Sequence, residues 1–236
     1  MTAVLCAEVR RSAHLPLVLT TAAIVALVLF IQAHITGVGP NALVAAHDAS
    51  QGAVAFAETA ELVLALAAAV PILVLSADIV DDSRGLLFTY PIPTLRLAGS
   101  RLVAAFAWCL VWSLLVLLLG NWWVGSDLPL WRDIALLLPE QVFVLGGIFA
   151  VAEWTRETGL GAGFALLALV LGFGIQGLPF AHPVSMHLEL VDLRNHPLSG
   201  AVWLNRLALL GLTMGFMALG TIGMRLHRRR GSYAGS

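Results

Sequence analysis

The sequence predicts an all-α integral membrane protein with six transmembrane helices, and three observations support that fold class. Of its 236 residues, 59% are hydrophobic and 11% are charged, whereas about 25% of the residues in a soluble domain are charged. The apolar residues fall into six runs, each close to the roughly 20 residues that a helix needs to cross a bilayer. Every basic residue is an arginine, and the arginines concentrate in alternate connections between the runs.

The six predicted spans form a single transmembrane domain and comprise residues 15–34, 58–77, 102–124, 134–152, 160–177 and 202–226. Arg10 and Arg11 precede the first run, as basic residues precede a secretory signal peptide. The run is long, however, and no clean cleavage signal follows it, so we predict that the first helix is retained.

The distribution of arginines predicts the orientation of these spans. If the N-terminus lies inside, ten arginines fall in inside segments, and only Arg132, Arg194 and Arg206 lie outside or near the outer surface. Because short cytoplasmic loops carry an excess of basic residues, both termini are predicted to be cytoplasmic. The polar segment 78–101 is then cytoplasmic, and the segment 178–201 is extracytoplasmic.

The absence of lysine excludes several kinds of chemistry. A P-loop requires its lysine, and Schiff-base catalysis requires one as well. The sequence also lacks the H-E-x-x-H and G-x-S-x-G motifs. Cys6 and Cys109 are far apart and have no metal-ligand pattern near them. We therefore predict that this chain is not an enzyme and that it has no catalytic residues.

Several polar residues in the outer segment 178–201 are of types that bind metal ions, but their spacing matches no zinc pattern. They are His182, His187, Glu189, Asp192 and His196. Such residues are ordinary in a loop that faces solvent, so no metal site is predicted.

Glu140 and Glu153 are predicted to lie near membrane depth. A carboxylate there is energetically costly and should face protein or a wet cavity. A structural pairing is favoured over a role with substrate or protons. Glycines spaced along the fifth and sixth spans, Gly161 and the Gly211-x-x-x-Gly215 pair among them, are interpreted as points where membrane helices approach closely.

The segment 78–101 combines an acidic turn, a glycine, exposed apolar residues and a proline pair before the third span. The residues concerned are Asp81, Asp82, Arg84, Gly85, Leu86, Leu87, Phe88, Tyr90, Pro91, Pro93 and Arg96. A simple connector would need no exposed Leu, Phe and Tyr. This pattern, followed by Arg101, resembles the first cytoplasmic loop of ABC-2 type transporter permeases.

The end of the chain adds to the resemblance, which covers essentially the whole sequence. Asn205-Arg206 enters the last predicted span, and Arg225 and an arginine cluster at 228–230 close it, as in many ABC-2 permeases. The match has two departures. Leu86 stands where the family often has threonine, and the pair Asp81/Asp82 replaces the usual glutamate.

The resemblance implies a type V exporter-like transmembrane domain and a coupling loop that contacts a separate ATPase subunit. Carried over by position, Asp81, Asp82, Arg84 and Gly85 would shape the coupling turn. Leu86, Leu87, Phe88 and Tyr90 would pack on the ATPase. Pro91, Pro93 and Arg96 would set the exit into the third helix. Glu153, Arg156 and Glu157 would form a second, smaller cytoplasmic contact. Residues 1–14 would form an interfacial amphipathic helix.

These features predict a permease subunit of an ATP-driven ABC transporter in a bacterial-type cytoplasmic (inner) membrane. We expect it to export a hydrophobic or amphipathic substrate such as a drug, lipid or peptide. Its predicted partners are an ABC ATPase subunit, which would bind ATP and Mg, a second permease subunit and the bilayer, with no nucleic acid. The chain itself is predicted to hold no cofactor. The alternative is a self-contained secondary transporter that uses membrane-embedded carboxylates, Glu140 or Glu58 and Glu61, as proton or ion sites.

Overall fold

In the computed structural model, the residues that can be described are 6, 18–19, 21–23, 25–26, 93–124, 130–174 and 200–233, and these form helices and one tight turn without any strand. The four long helices are α1 (Thr94–Val124), α2 (Leu130–Thr155), α3 (Thr158–Gly174) and α4 (Gly200–Tyr233). Within the first predicted span, the described residues are helical, and Thr21 and Val25 are buried.

Three of the helices are long and apolar enough to cross a membrane. Within the described residues, these candidate spans are Thr94–Leu118, Leu137–Thr155 and Val202–Leu226, and Thr158–Leu167 is a shorter apolar helix. They confirm the prediction of an all-helical chain and indicate a membrane protein. The count of six spans stays a prediction, since the second span and most of the first lie outside the described residues.

The helix α1 begins earlier than the apolar pattern suggested, at Thr94 rather than at residue 102. The carbonyl of Pro93 accepts hydrogen bonds from the backbone amides of Arg96 and Leu97, at 2.9 and 3.1 Å. Proline favours the start of a helix because its φ is already helical and its missing amide would have no intrahelical partner there. The last residues of the predicted cytoplasmic loop are therefore the first two turns of α1.

Contacts between side chains fix the directions of α1 and α2. Arg101, near the start of α1, is close to Glu153, near the end of α2. Ser113, farther along α1, is hydrogen-bonded to Gln141, which comes earlier in α2. The two helices are therefore antiparallel.

The helix α3 folds back along α2 after the tight turn at residues 156–157. Gly161 faces Ile148 and Ala152, and a Cβ atom at Gly161 would lie 3.1 Å from the Ile148 side chain. One turn farther along α3, the ring of Phe164 fills the space where Gly147 has no side chain. This order of contacts makes α3 antiparallel to α2, and glycine at 147 is required by the ring that lies against it.

The helices α2 and α4 run in the same direction. Glu140 pairs with Arg206 near their starts, and Trp154 is hydrogen-bonded to the carbonyl of Leu219 farther along both helices. The chain leaves α2 at one end of the bundle and enters α4 at the other, and α3 runs back along α2 between these points. The described helices thus alternate in direction, as spans three to six were predicted to do.

The helix α2 lies at the centre of this bundle. In an 18-residue stretch of its candidate span 78% of the residues are buried, compared with 44% and 28% in the corresponding stretches of α1 and α4. Leu145, Ile148 and Phe149 of α2 are completely buried. A helix that is apolar on all sides and surrounded by other helices is typical of the core of a membrane bundle.

Arginines gather at one end of the bundle, which we call the basic end. At this end α1 and α3 begin, and α2 and α4 end. Seven arginines lie in these helix ends and in the turn at 156–157: Arg96, Arg101, Arg156, Arg225, Arg228, Arg229 and Arg230. At the opposite end, which we call the far end, the described helices carry Arg132 and Arg206.

Candidate functional site: buried ion pairs and the basic end

A buried ion pair joins α1 to α2 near the basic end. Nη1 of Arg101 lies 3.7 Å from Oε1 of Glu153, and the two residues are 1% and 0% exposed. Removing one charge from a buried pair leaves the other uncompensated at a cost of about 3–5 kcal/mol. The pair therefore holds the start of α1 against the end of α2.

A second buried ion pair joins α2 to α4 near the far end. Nη1 of Arg206 lies 2.6 Å from Oε1 of Glu140, and both residues are 1% exposed. Asn205, the neighbour of Arg206, is buried as well. At this separation each charge is the counterion of the other, so the two side chains can lie inside an apolar bundle.

The carboxylate of this second pair follows Pro139, which lies inside α2. Proline has no amide hydrogen, so the carbonyl of Ala135 lacks its usual intrahelical donor. The carbonyl oxygen of Ala135, a hydrogen-bond acceptor that lacks this donor, therefore lies about one turn before Glu140 in α2.

A neutral polar contact lies between the two ion pairs. The amide nitrogen Nε2 of Gln141 donates to Oγ of Ser113 at 2.9 Å, and that hydroxyl donates to the carbonyl of Cys109 at 2.8 Å. Both side chains are buried. The contact adds a third polar tie from α2, again to α1.

The positions of the carboxylates follow from the geometry of α2. Glu140 and Glu153 are 13 residues apart on one helix, which at 1.5 Å per residue separates them by roughly 20 Å. One ties α2 to α4 near the far end and the other ties it to α1 near the basic end. Both buried carboxylates thus hold helices together, as the structural pairing predicted from the sequence requires.

Two of the residues predicted for the coupling loop are described. Pro93 immediately precedes α1, and Arg96 is exposed in its first turn. The other predicted coupling residues lie outside the described part of the chain: Asp81, Asp82, Arg84, Gly85, Leu86, Leu87, Phe88, Tyr90 and Pro91.

The three residues predicted for the second contact differ in exposure. Glu153 is completely buried in its pair with Arg101, whereas Arg156 and Glu157 are exposed in the turn between α2 and α3. A partner protein can therefore reach Arg156 and Glu157 directly, and it can reach Glu153 only through α1 and α2.

The turn itself has an uncommon backbone at Arg156, whose φ is 61°. Its amide donates to the carbonyl of Ala152 at 3.0 Å, and the amide of Glu157 donates to Oγ1 of Thr155 at 3.3 Å. Helices commonly end in this left-handed conformation, but glycine normally occupies the position. The end of α2 is therefore held in a defined turn despite the arginine side chain.

The described residues contain no group of three or more His, Cys, Asp or Glu side chains that could hold a metal ion. The outer residues from His182 to His196, which were considered for metal binding, lie outside the described part. The predicted absence of a metal site stays a prediction for them.

The partners of the buried polar groups were not predicted from the sequence. Arg206 was counted among the outer arginines, and no contact was predicted for Ser113 or Gln141. One signal was present in the sequence: an arginine and a carboxylate each lie inside an apolar run, and each needs a counterion there.

No family model matches the chain, and neither a curated protein nor a solved structure matches it.

Proposed function

We propose that the chain is the permease subunit of an ATP-driven transporter, which receives its energy from a separate ATPase subunit at the basic end. The observation that carries the proposal is the Arg101–Glu153 ion pair. It joins the helix that follows the proposed coupling loop to the helix that precedes the turn with Arg156 and Glu157. We therefore assign both ATPase contacts to this end of the bundle, where the buried charge pair connects the helices that border them.

The sidedness of the bundle supports this arrangement. Seven arginines lie at the basic end and two at the far end of the described helices. By the positive-inside rule the basic end faces the cytoplasm, where ATP is available. In this orientation both chain termini are cytoplasmic, and the protein resides in the cytoplasmic membrane with the predicted six spans.

The rigid connection suggests how force from an ATPase would reach the membrane. A displacement of the coupling loop moves the start of α1, and the Arg101–Glu153 pair transmits it to α2. Because Glu140 joins α2 to Arg206 of α4, the movement continues to the far end. In the transport cycle this motion opens an export path for a hydrophobic or amphipathic substrate, at an interface with a second permease subunit.

The alternative, a secondary transporter, relied on membrane-embedded carboxylates as proton or ion sites. Glu140, one of those carboxylates, pairs with Arg206 at 2.6 Å, and a guanidinium this close repels a second cation. The others, Glu58 and Glu61, lie outside the described residues. The pairing at Glu140 favours the ATP-driven permease.

The experiment is an assembly measurement with a P-loop ATPase, if a neighbouring reading frame encodes one, and the absence of such a frame would favour the secondary transporter. We expect Arg156→Glu to reduce the amount of ATPase that co-purifies with the chain, because the substitution reverses an exposed charge in the proposed contact. Arg132→Glu makes the same chemical change at the far end and should leave assembly unchanged. Equal recovery of the ATPase with wild type and Arg156→Glu would argue against the second contact.

The larger contact is tested by Phe88→Asp together with Tyr90→Asp, within the proposed coupling loop. Two carboxylates in an apolar docking surface should abolish assembly, since each buried unpaired charge is costly. Normal assembly of this double variant would contradict the coupling assignment as a whole.

A further inference from the structure

The end of α4 offers an exposed surface that changes from apolar to basic along one side of the helix. Leu219 and Ile222 are each 46% exposed, Leu226 is 41% exposed, and Arg225 is exposed beside them. Positions 219 and 225 are six residues apart, which is roughly 9 Å along the helix axis. An apolar strip can contact the acyl chain of a lipid, and an arginine beside it can bind the headgroup.

The tryptophan next to this strip marks the same level of the bundle. Nε1 of Trp154 donates to the carbonyl of Leu219 at 2.8 Å, while 47% of the residue stays exposed. A Cβ atom at Gly223 would lie 3.2 Å from the indole ring, so glycine allows the ring to lie this close to α4. Tryptophan is enriched where hydrocarbon meets the headgroups, which places this part of α4 at that boundary.

The positive charge lies just beyond this boundary on two neighbouring segments. Arg225 follows Gly223 by two residues, and Arg156 follows Trp154 by two residues, so both arginines lie past the contact between α2 and α4. The backbone of α4 remains helical to Tyr233. Its sequence there continues with three further arginines, Arg228, Arg229 and Arg230.

We propose that this surface binds an anionic phospholipid, with the headgroup at Arg225 and Arg156 and an acyl chain along Leu219 and Ile222. Clusters of arginine at the end of a membrane helix attract anionic headgroups electrostatically. An acidic protein surface could use the same arginines from the water side. It would have no use for Leu219 and Ile222, which lie within the apolar span Val202–Leu226. The proposal needs the helices to lie in a membrane, and it shares Arg156, but not Arg225, with the proposed ATPase contact.

The test is lipid binding to the purified chain in detergent, counted by native mass spectrometry. Phosphatidylglycerol and phosphatidylcholine with identical acyl chains are titrated in parallel. We expect the anionic lipid to bind more tightly and to lose roughly fivefold in affinity for each arginine replaced by glutamine at positions 156 and 225. Arg132→Gln, at the far end, is the matched control and should keep the preference.

Two further arms separate the possible ligands. Ile222→Gln should weaken both lipids, because the acyl chain loses its apolar contact, whereas glycerol phosphate alone should not bind measurably. Equal binding of the two lipids by the wild type would overturn the proposal, as would an unchanged preference after Arg156→Gln and Arg225→Gln. If those variants bind lipid normally but lose an acidic protein partner, the surface is a protein contact and the proposal is wrong.

Discussion

The ion pair between α2 and α4 gives the sharpest prediction about the stability of the bundle. Glu140→Gln removes the charge that faces Arg206 at 2.6 Å and keeps nearly the same side-chain volume. Arg206 is 1% exposed, so its charge would remain buried after losing this carboxylate. Such a change costs about 3–5 kcal/mol, and we expect a loss of that size in the free energy of unfolding.

The assay is reversible unfolding of the purified chain in mixed detergent micelles, followed by the loss of helical circular dichroism. Glu157→Gln makes the same chemical change at an exposed position and should alter the free energy of unfolding by less than about 0.5 kcal/mol. The comparison isolates burial as the cause of the difference.

A double variant separates charge from packing. Replacing both Glu140 and Arg206 with leucine removes both charges, and well-packed apolar residues often replace a buried ion pair at little or no cost. The double variant should therefore be more stable than Glu140→Gln. The reasoning would be refuted if Glu140→Gln were as mild as Glu157→Gln, or if the double variant lost more stability than the single one.

Three further substitutions test the packing, the turn and the neutral polar contact. Gly147→Ala should destabilise the bundle by about 1–3 kcal/mol, because the new methyl group would meet the aromatic ring of α3. Gly215→Ala, where no atom of the described residues lies within 4 Å, should not destabilise it in the same unfolding assay. Arg156→Gly should stabilise the chain by about 1 kcal/mol, since glycine adopts a φ of 61° without strain, and a loss of stability would contradict that reading of the turn. Ser113→Ala should cost about 1–3 kcal/mol, because it leaves a buried amide without this hydrogen bond, and Ser113→Thr, which keeps the hydroxyl, should cost less.

Apolar character alone predicted that these stretches are helical. The helix α1 ends at Val124 and α4 contains residues 202–226, but the membrane boundaries along both helices stay predictions. The helix α1 begins at Thr94, before the predicted start of the third span at residue 102. The difference arises because a hydropathy count treats Arg101 as a solvated charge that closes the span. In the structure Glu153 neutralises that arginine, and the helix continues through it.

The pairing of the buried charges could be predicted only in part. The cost of burying Glu140 shows that it needs a partner, and the sequence offers several arginines. Which arginine is close depends on α2 and α4 running side by side in the same direction, and that depends on how α3 returns the chain. Spacing along the sequence carries no such information, so Arg206 became evident only from the packed helices.

For the second predicted cytoplasmic contact, the sequence grouped Glu153 with Arg156 and Glu157 of the turn between α2 and α3. A helix has a buried and an exposed face. Glu153 lies on one of these faces only if α2 continues past it, and the sequence alone did not define where α2 ends. With α2 continuing to Thr155, Glu153 points into the bundle and meets α1. The neighbouring positions therefore divide into one residue that holds the helices together and two that a partner can contact.

The central claim, that a separate ATPase drives this chain through the basic end, is tested most directly by ATP hydrolysis in proteoliposomes that contain both proteins. We predict that the wild-type chain stimulates hydrolysis by its ATPase, that Phe88→Asp with Tyr90→Asp abolishes the stimulation, and that Arg132→Glu preserves it. Hydrolysis that is equally fast with the wild type, with the double variant and without the chain would contradict the account.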